Sequence, residues 1–220
     1  MKRLLTALAI FGLTGVVSVY AATIAYSDIG GVGNQAFGGN LALDFTVIAP
    51  ISVTSLGAFN ASGTGTINGT IRVAIFNSSG TEVAGPAVFH GPSTLVGFDV
   101  FQTITPVILL PGSYEVDAVG FSAADPNGNL NVPVPSTPGP TLNTGGGLLT
   151  FTGASYDAAT ILDDPTTCAG CQGAPTPQNQ QFDAGTFMFN AVNAPEPGTF
   201  ALFGFGIIAL SAVLRRRLAR

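Results

Sequence analysis

Leu41-Ala42-Leu43-Asp44-Phe45-Thr46-Val47 sets Leu41, Leu43, Phe45 and Val47 at every second position, with Ala42, Asp44 and Thr46 between them. Successive side chains of an extended chain point to opposite faces, so this run is a half-buried β-strand. A helical period of 3.6 would scatter the four large side chains around an axis instead.

The same signature recurs outward from this stretch. Residues 51–59 alternate less cleanly, with Val53 and Ser55 opposed to Thr54 and Leu56, and then enter the turn-rich Asn60-Ala61-Ser62-Gly63-Thr64-Gly65. Residues 71–76 put Ile71, Val73 and Ile75 on one face and end at Asn77-Ser78-Ser79-Gly80, a hairpin turn that predicts pairing with 83–89. Further strands are predicted over 98–101, 104–110, 113–121, 148–152 and 182–189, with Pro111-Gly112 turning into the third of these. Two stretches lack periodicity: 122–144, rich in Pro, Asn and Gly, and 163–181, which holds both cysteines. Both read as loops, and either could flank a binding face. With no tryptophan, few charges and no long amphipathic helical pattern, the region from 22 to 193 reads as one all-β domain, a single β-sandwich.

The two ends have another character. Lys2 and Arg3 precede an apolar run from Leu4 to Val19, and Val19-Tyr20-Ala21 offers a signal-peptidase site after Ala21, with an uncleaved anchor as the alternative. At the other end, Pro195-Glu196-Pro197 interrupts helix and sheet alike, because two prolines fix φ and remove two backbone donors. Seventeen uncharged residues follow, Gly198 to Leu214, near the lower limit for a transmembrane helix, and then the stop-transfer arginines Arg215, Arg216 and Arg217. The expected division is therefore 1–21 signal peptide, 22–193 exported domain and 194–220 tail.

Six of the seven basic residues lie in those ends, leaving only Arg72 against twelve acidic residues in the stretch from Ala22 to Pro197, a formal charge of −11. Such a surface repels phosphate backbones and anionic lipid, which argues against nucleic acid as a partner. It suits a soluble exported domain or an acidic Ca²⁺ site.

Motifs for chemistry are sparse. His90 is the single histidine and no G-x-S-x-G elbow occurs, so a Ser-His-Asp hydrolase and a zinc enzyme both lack their parts. Cys168-Ala169-Gly170-Cys171 reads as a local disulfide clip, with free thiols as the alternative; the flanking prolines deny it the helix of a thioredoxin-like redox pair. Gly31-Val32-Gly33-Asn34-Gln35-Ala36 matches the dinucleotide fingerprint in letters but has no preceding strand or following helix. Asp125-Pro126-Asn127-Gly128-Asn129 spaces Asp125, Asn127 and Asn129 like the first half of an EF-hand loop, with Leu130 where the turn glycine belongs. It is a weak Ca²⁺ candidate beside the plain reading of an Asx-rich turn. Glu115 and Asp117 share a strand face, as a solvated face or an interacting acid pair would. Asn60, Asn68 and Asn77 open N-x-[ST] matches in turns.

The ordered conjunction of Pro195-Glu196-Pro197, a short Gly- and Phe-containing apolar helix and an arginine cluster resembles the bacterial PEP-CTERM sorting tail. The resemblance covers about the last 28 residues. It implies recognition by an exosortase, a membrane protease and transpeptidase, after export by the Sec machinery and signal peptidase. The succession from Asp44-Phe45-Thr46-Val47 through Val53 to Phe59, Val73 to Gly80 and Thr105 to Tyr114 is similar to a β-sandwich domain found ahead of such tails. That similarity implies a jelly-roll-like fold and no transferable functional residues. The expectation is an exported, non-catalytic surface or matrix protein, held in the inner membrane as a precursor, needing no cofactor and associated with exopolysaccharide. The alternative is a carbohydrate-binding module or adhesin with a loop-edge site, Ca²⁺-dependent if the acidic loops bind metal.

Overall fold

The computed structural model describes residues 22–132, 135–165 and 182–192. Among these residues there is no helix, and none therefore that could cross a membrane. The strands are β1 (Thr23–Ile24), β2 (Tyr26–Ser27), β3 (Leu41–Val47), β4 (Ile51–Phe59), β5 (Thr66–Asn77), β6 (Glu82–Pro92) and β7 (Thr94–Val96). They continue with β8 (Asp99–Leu109), β9 (Gly112–Val119), β10 (Gly128–Asn129), β11 (Thr141–Leu142), β12 (Leu149–Tyr156), β13 (Phe182–Asp183) and β14 (Gly185–Ala191).

The opening heptapeptide is the second strand of one five-stranded sheet, ordered β12-β3-β9-β5-β6. The other five-stranded sheet runs β1-β14-β4-β8-β7, and every pairing is antiparallel. The apolar faces of both sheets meet in one core, in which Leu43, Phe45, Ile75 and Val116 of the first sheet pack with Val53, Leu56, Phe187 and Phe189 of the second. Aromatic rings fill its centre: Phe187 lies 4.8 Å from Phe45 and 5.8 Å from Phe189 between ring centroids, and Tyr26 stands edge-on to Phe151 at 4.8 Å. Such edge and tilted contacts suit ring quadrupoles better than face-to-face stacking.

Most predicted strands are present, and the differences have identifiable causes. The imperfect alternation over 51–59 reflects a bulge against β14, where Val53 and Ser55 of β4 face the adjacent residues Phe189 and Met188. One extra residue reverses the phase, so Ile51 and Val53 point inward before the shift, and Leu56 and Ala58 after it. The segments 98–101 and 104–110 are one strand, β8, not two. The hairpin turn at 77–80 is as expected: Gly80 takes φ 70°, its N–H donates to Asn77 O at 2.9 Å, and Asn77 Oδ1 accepts from the Ser79 and Thr81 N–H groups.

The stretch 122–144 is not a plain loop. It contains β10 and β11, which pair with β13 and β2. Two-residue strands have no period to display, and their partners lie far away in sequence. The Asn34 side-chain amide fastens this stretch by donating to the carbonyls of Asn129, Val132 and Pro135 at 3.0, 3.2 and 2.7 Å.

Candidate functional site

The polar face of the opening strand leads to the first cavity. Asp44 on β3 pairs directly with Glu115 on β9, both pointing away from the core. The face that alternation suggests is solvated is instead covered: Glu115 is 5% and Asp117 0% exposed, because the segment 157–165 lies over them. Asn40 holds that segment, its amide nitrogen lying 3.0 Å from Asp157 Oδ1, 2.8 Å from Ile161 O and 2.7 Å from Asp163 Oδ1. Arg72 adds a bond from Nη2 to Thr160 O at 2.9 Å.

At the margin of this cover is a cavity of about 330 Å³ lined by Asp44, Asn77, Ser113, Tyr114, Glu115 and Asp164 among others. Ser155 Oγ bridges two of its carboxyls, 3.3 Å from Asp44 Oδ1 and 3.5 Å from Glu115 Oε2. Burial, then a hydrogen bond to Asp164 and the surrounding negative charge, pushes Glu115 up to about 10, so it is a neutral donor at pH 7. Burial likewise raises Asp44 to about 6, against the lowering effect of the Ser155 hydroxyl. Burial pushes Asp117 well above the usual carboxylate range. A protonated acid beside an ionisable carboxylate can hydrogen-bond a hydroxyl ligand as both donor and acceptor.

A second cavity, about 220 Å³, opens beside the stretch 122–144. Phe37 and Tyr156 supply aromatic surface, meeting edge-on at 6.1 Å, and Gln35, Asn129 and Asn131 supply amides. Apolar walls with a few placed polar groups are the general composition of a small-molecule site.

A third group of carboxyls is enclosed where the N-terminal segment meets β8 and β13. Asp28, Asp99 and Asp183 are 3%, 1% and 0% exposed. The Asp28 N–H donates to Asp99 Oδ2 at 2.9 Å, and the Thr137 hydroxyl donates to Asp183 Oδ2. Burial is the main cause that lifts all three, Asp99 to about 7. Nothing in local sequence marks this group, since its members are 71 and 84 positions apart and each sits alone among apolar or polar neighbours.

Residues nominated from sequence fare differently. Asp125 accepts the N–H groups of Asn68 at 2.9 Å and Gly69 at 2.6 Å, where β5 bulges between Ile67 and Ile71. Asn127 and Asn129 turn elsewhere, both donating to Gln35 Oε1 at 3.0 and 2.9 Å. The fold thus separates Asp125 from the two asparagines with which it was grouped, and its oxygens serve backbone donors. His90 Nδ1 lies 2.6 Å from Gly69 O at the edge of the sheet. Gly31 and Gly33 border an open depression beside Ala61 and Pro126 rather than a helix N-terminus. Cys168, Cys171, Pro195, Glu196, Pro197 and Arg215 to Arg217 lie outside the described residues, as do the signal segment 1–21 and the apolar run 198–214.

Fold and clefts define an all-β protein of two facing antiparallel sheets that carries polar, acid-rich sites. Residues 193–217 match the family model of the PEP-CTERM protein-sorting motif, so the chain carries at that position the signal its tripeptide, apolar run and arginines suggest. The motif implies exosortase-dependent export and sorting to the cell surface. No curated protein and no solved structure matches the chain.

Proposed function

We propose that this is an exported, non-catalytic surface or extracellular-matrix protein whose β-sandwich is delivered through the PEP-CTERM tail and associates with exopolysaccharide. The match at 193–217 carries the reading. In the proposed sequence of events the signal peptide 1–21 begins translocation, and the apolar run after Gly198 halts it with Arg215, Arg216 and Arg217 inside. Exosortase then acts at Pro195-Glu196-Pro197, and the domain 22–193 passes to the surface. A jelly-roll sandwich fits the strand order. With β7 and β12 set aside as added edge strands, the sheets are β1-β14-β4-β8 and β3-β9-β5-β6, two interleaved Greek keys. In support of a non-catalytic domain, the Asp44–Glu115 pair lies largely beneath 157–165 and its cavity has one aromatic wall, Tyr114. Glu196→Ala in a host with exosortase should leave full-length precursor in the membrane fraction. Normal maturation of that variant would overturn the sorting reading.

A second reading, a carbohydrate-binding module or adhesin, is favoured by the cavity that combines Phe37 and Tyr156 with Gln35, Asn129 and Asn131. An aromatic surface beside amides is suited to a sugar's apolar ring face and its hydroxyls. Glycan-array binding that disappears in Tyr156→Ala would establish it, and an array without hits would leave the matrix role to operate without direct sugar recognition.

A further inference from the structure

We propose that the cavity of about 220 Å³ beside the stretch 122–144 binds an acetamido group, and so takes N-acetylated sugars in preference to sugars that carry hydroxyls alone. The proposal rests on the second reading above, that the domain binds carbohydrate, and specifies the kind.

The hydrogen bonds around Gln35 fix which atom of its amide is left for a ligand. Asn127 Oδ1 accepts the Phe37 N–H at 3.2 Å, and Asn129 Oδ1 accepts the Asn131 N–H at 2.9 Å. A backbone N–H only donates, so each asparagine must turn its oxygen to that side and its Nδ2 to the other. Both nitrogens donate to Gln35 Oε1, at 3.0 and 2.9 Å. The glutamine is oriented in turn: its oxygen is taken twice, and Nε2, which can only donate, has no partner among the described residues. The frame is rigid, because Gln35 and Asn127 exchange backbone N–H···O=C bonds at 3.0 and 2.8 Å and the Asn34 amide donates to Asn129 O.

The cavity is therefore better supplied with donors than with acceptors. With the side-chain oxygens of Gln35 and Asn129 occupied, the remaining side-chain acceptors in its lining are Asn131 Oδ1 and the Tyr156 hydroxyl. A sugar hydroxyl that accepts from Gln35 Nε2 still has its own proton to place, and the side-chain oxygen nearest that nitrogen, Gln35 Oε1, is already taken. A carbonyl oxygen accepts and has no proton to place. Phe37, Leu41, Tyr156 and Phe182 make the other walls apolar, which suits a methyl group. An acetamido group joins those two parts, a carbonyl acceptor and a methyl, without charge. A carboxylate would also accept from Nε2, but no charged side chain lines the cavity and the formal charge of −11 between Ala22 and Pro197 repels anions.

The test uses the full chain on matched pairs of oligosaccharides, N-acetylglucosamine against glucose and N-acetylgalactosamine against galactose in the same linkage, first on an array and then by calorimetry. The acetamido member of a pair should bind at least about tenfold tighter than the hydroxyl member. Gln35→Glu keeps the side chain's length and an oxygen for Asn127 and Asn129, but puts a second oxygen where Nε2 stood, and the preference should fall to about twofold or less. Tyr156→Ala should abolish binding of both members. Equal binding within every pair, or a preference undiminished in Gln35→Glu, overturns the proposal and leaves sugar binding in place. Binding untouched by Tyr156→Ala, or no binding of any member, overturns the proposal together with the reading on which it rests. The comparison within pairs needs no variant, and so decides the question even if Gln35→Glu does not fold.

Discussion

Replacing Glu115 by Gln should make the protein more stable at neutral pH and leave it nearly unchanged in acid. The carboxyl is ordinarily at 4.5 and is pushed up to about 10 by burial, by Asp164 and by neighbouring negative charge. Between those values the folded chain keeps a proton that the unfolded chain has released. The unfolded state then binds fewer protons, so stability falls as pH rises; the contribution is intact below about 4.5 and drains away above it. At pH 7 the loss is set by the distance from 4.5, about 2.5 pH units at about 1.36 kcal/mol each, or roughly 3 kcal/mol. Gln presents the same shape as the protonated acid and has nothing to release, so the variant escapes that loss. For a domain of this size roughly 3 kcal/mol corresponds to about 6–12 °C in Tm. Urea unfolding of both proteins at about pH 4, 5, 6 and 7, with chelator present to exclude cations, should give curves that coincide at pH 4 and diverge upward for Glu115→Gln. Parallel curves, or a wild-type stability that rises over this range, would refute the buried neutral acid.

Asp44, raised from 3.8 to about 6, acts in the same direction over a lower window, so Asp44→Asn should remove about 3 kcal/mol of loss, complete by about pH 7, as read from the same titration. Phe187→Ala should cost about 3–5 kcal/mol in denaturant unfolding, because its ring is fully buried between Phe45, Tyr26 and Phe189 and no neighbour can fill the space. Asn40→Ala strips the amide that gathers Asp157, Ile161 and Asp163, and should cost about 1–3 kcal/mol. Faster amide exchange confined at first to 157–165 would show that Asn40 holds the cover; exchange unchanged there would show that it does not. Asn34→Ala should loosen 129–132 in the same assay, since one amide serves the carbonyls of Asn129, Val132 and Pro135.

Periodic strands were legible because their information is local. The alternation of Leu41, Leu43, Phe45 and Val47 names a strand and its inner face without reference to any partner, and β3 has those bounds. The tail was legible for a related reason: Pro195-Glu196-Pro197, an apolar run and three arginines act as a linear signal, and their order is the whole content. Even the failure at 51–59 was visible as a break in phase, though only pairing with β14 shows it to be a bulge.

Tertiary structure decided what the acidic residues mean. In sequence, Glu115 and Asp117 are polar positions on a strand, and polar positions on a strand ordinarily face water. Here a segment 40 residues further on folds over them, held by Asn40 at the start of the opening strand. Asp125, grouped by spacing with Asn127 and Asn129, answers to Asn68 and Gly69 instead. Asp28, Asp99 and Asp183 become neighbours only because β1 and β14 close the second sheet and bring the N-terminal segment against β8 and β13. A strand's face is fixed by a repeat of two residues. The company kept by a buried carboxyl is fixed by contacts across 40 residues or more, and no local pattern records them.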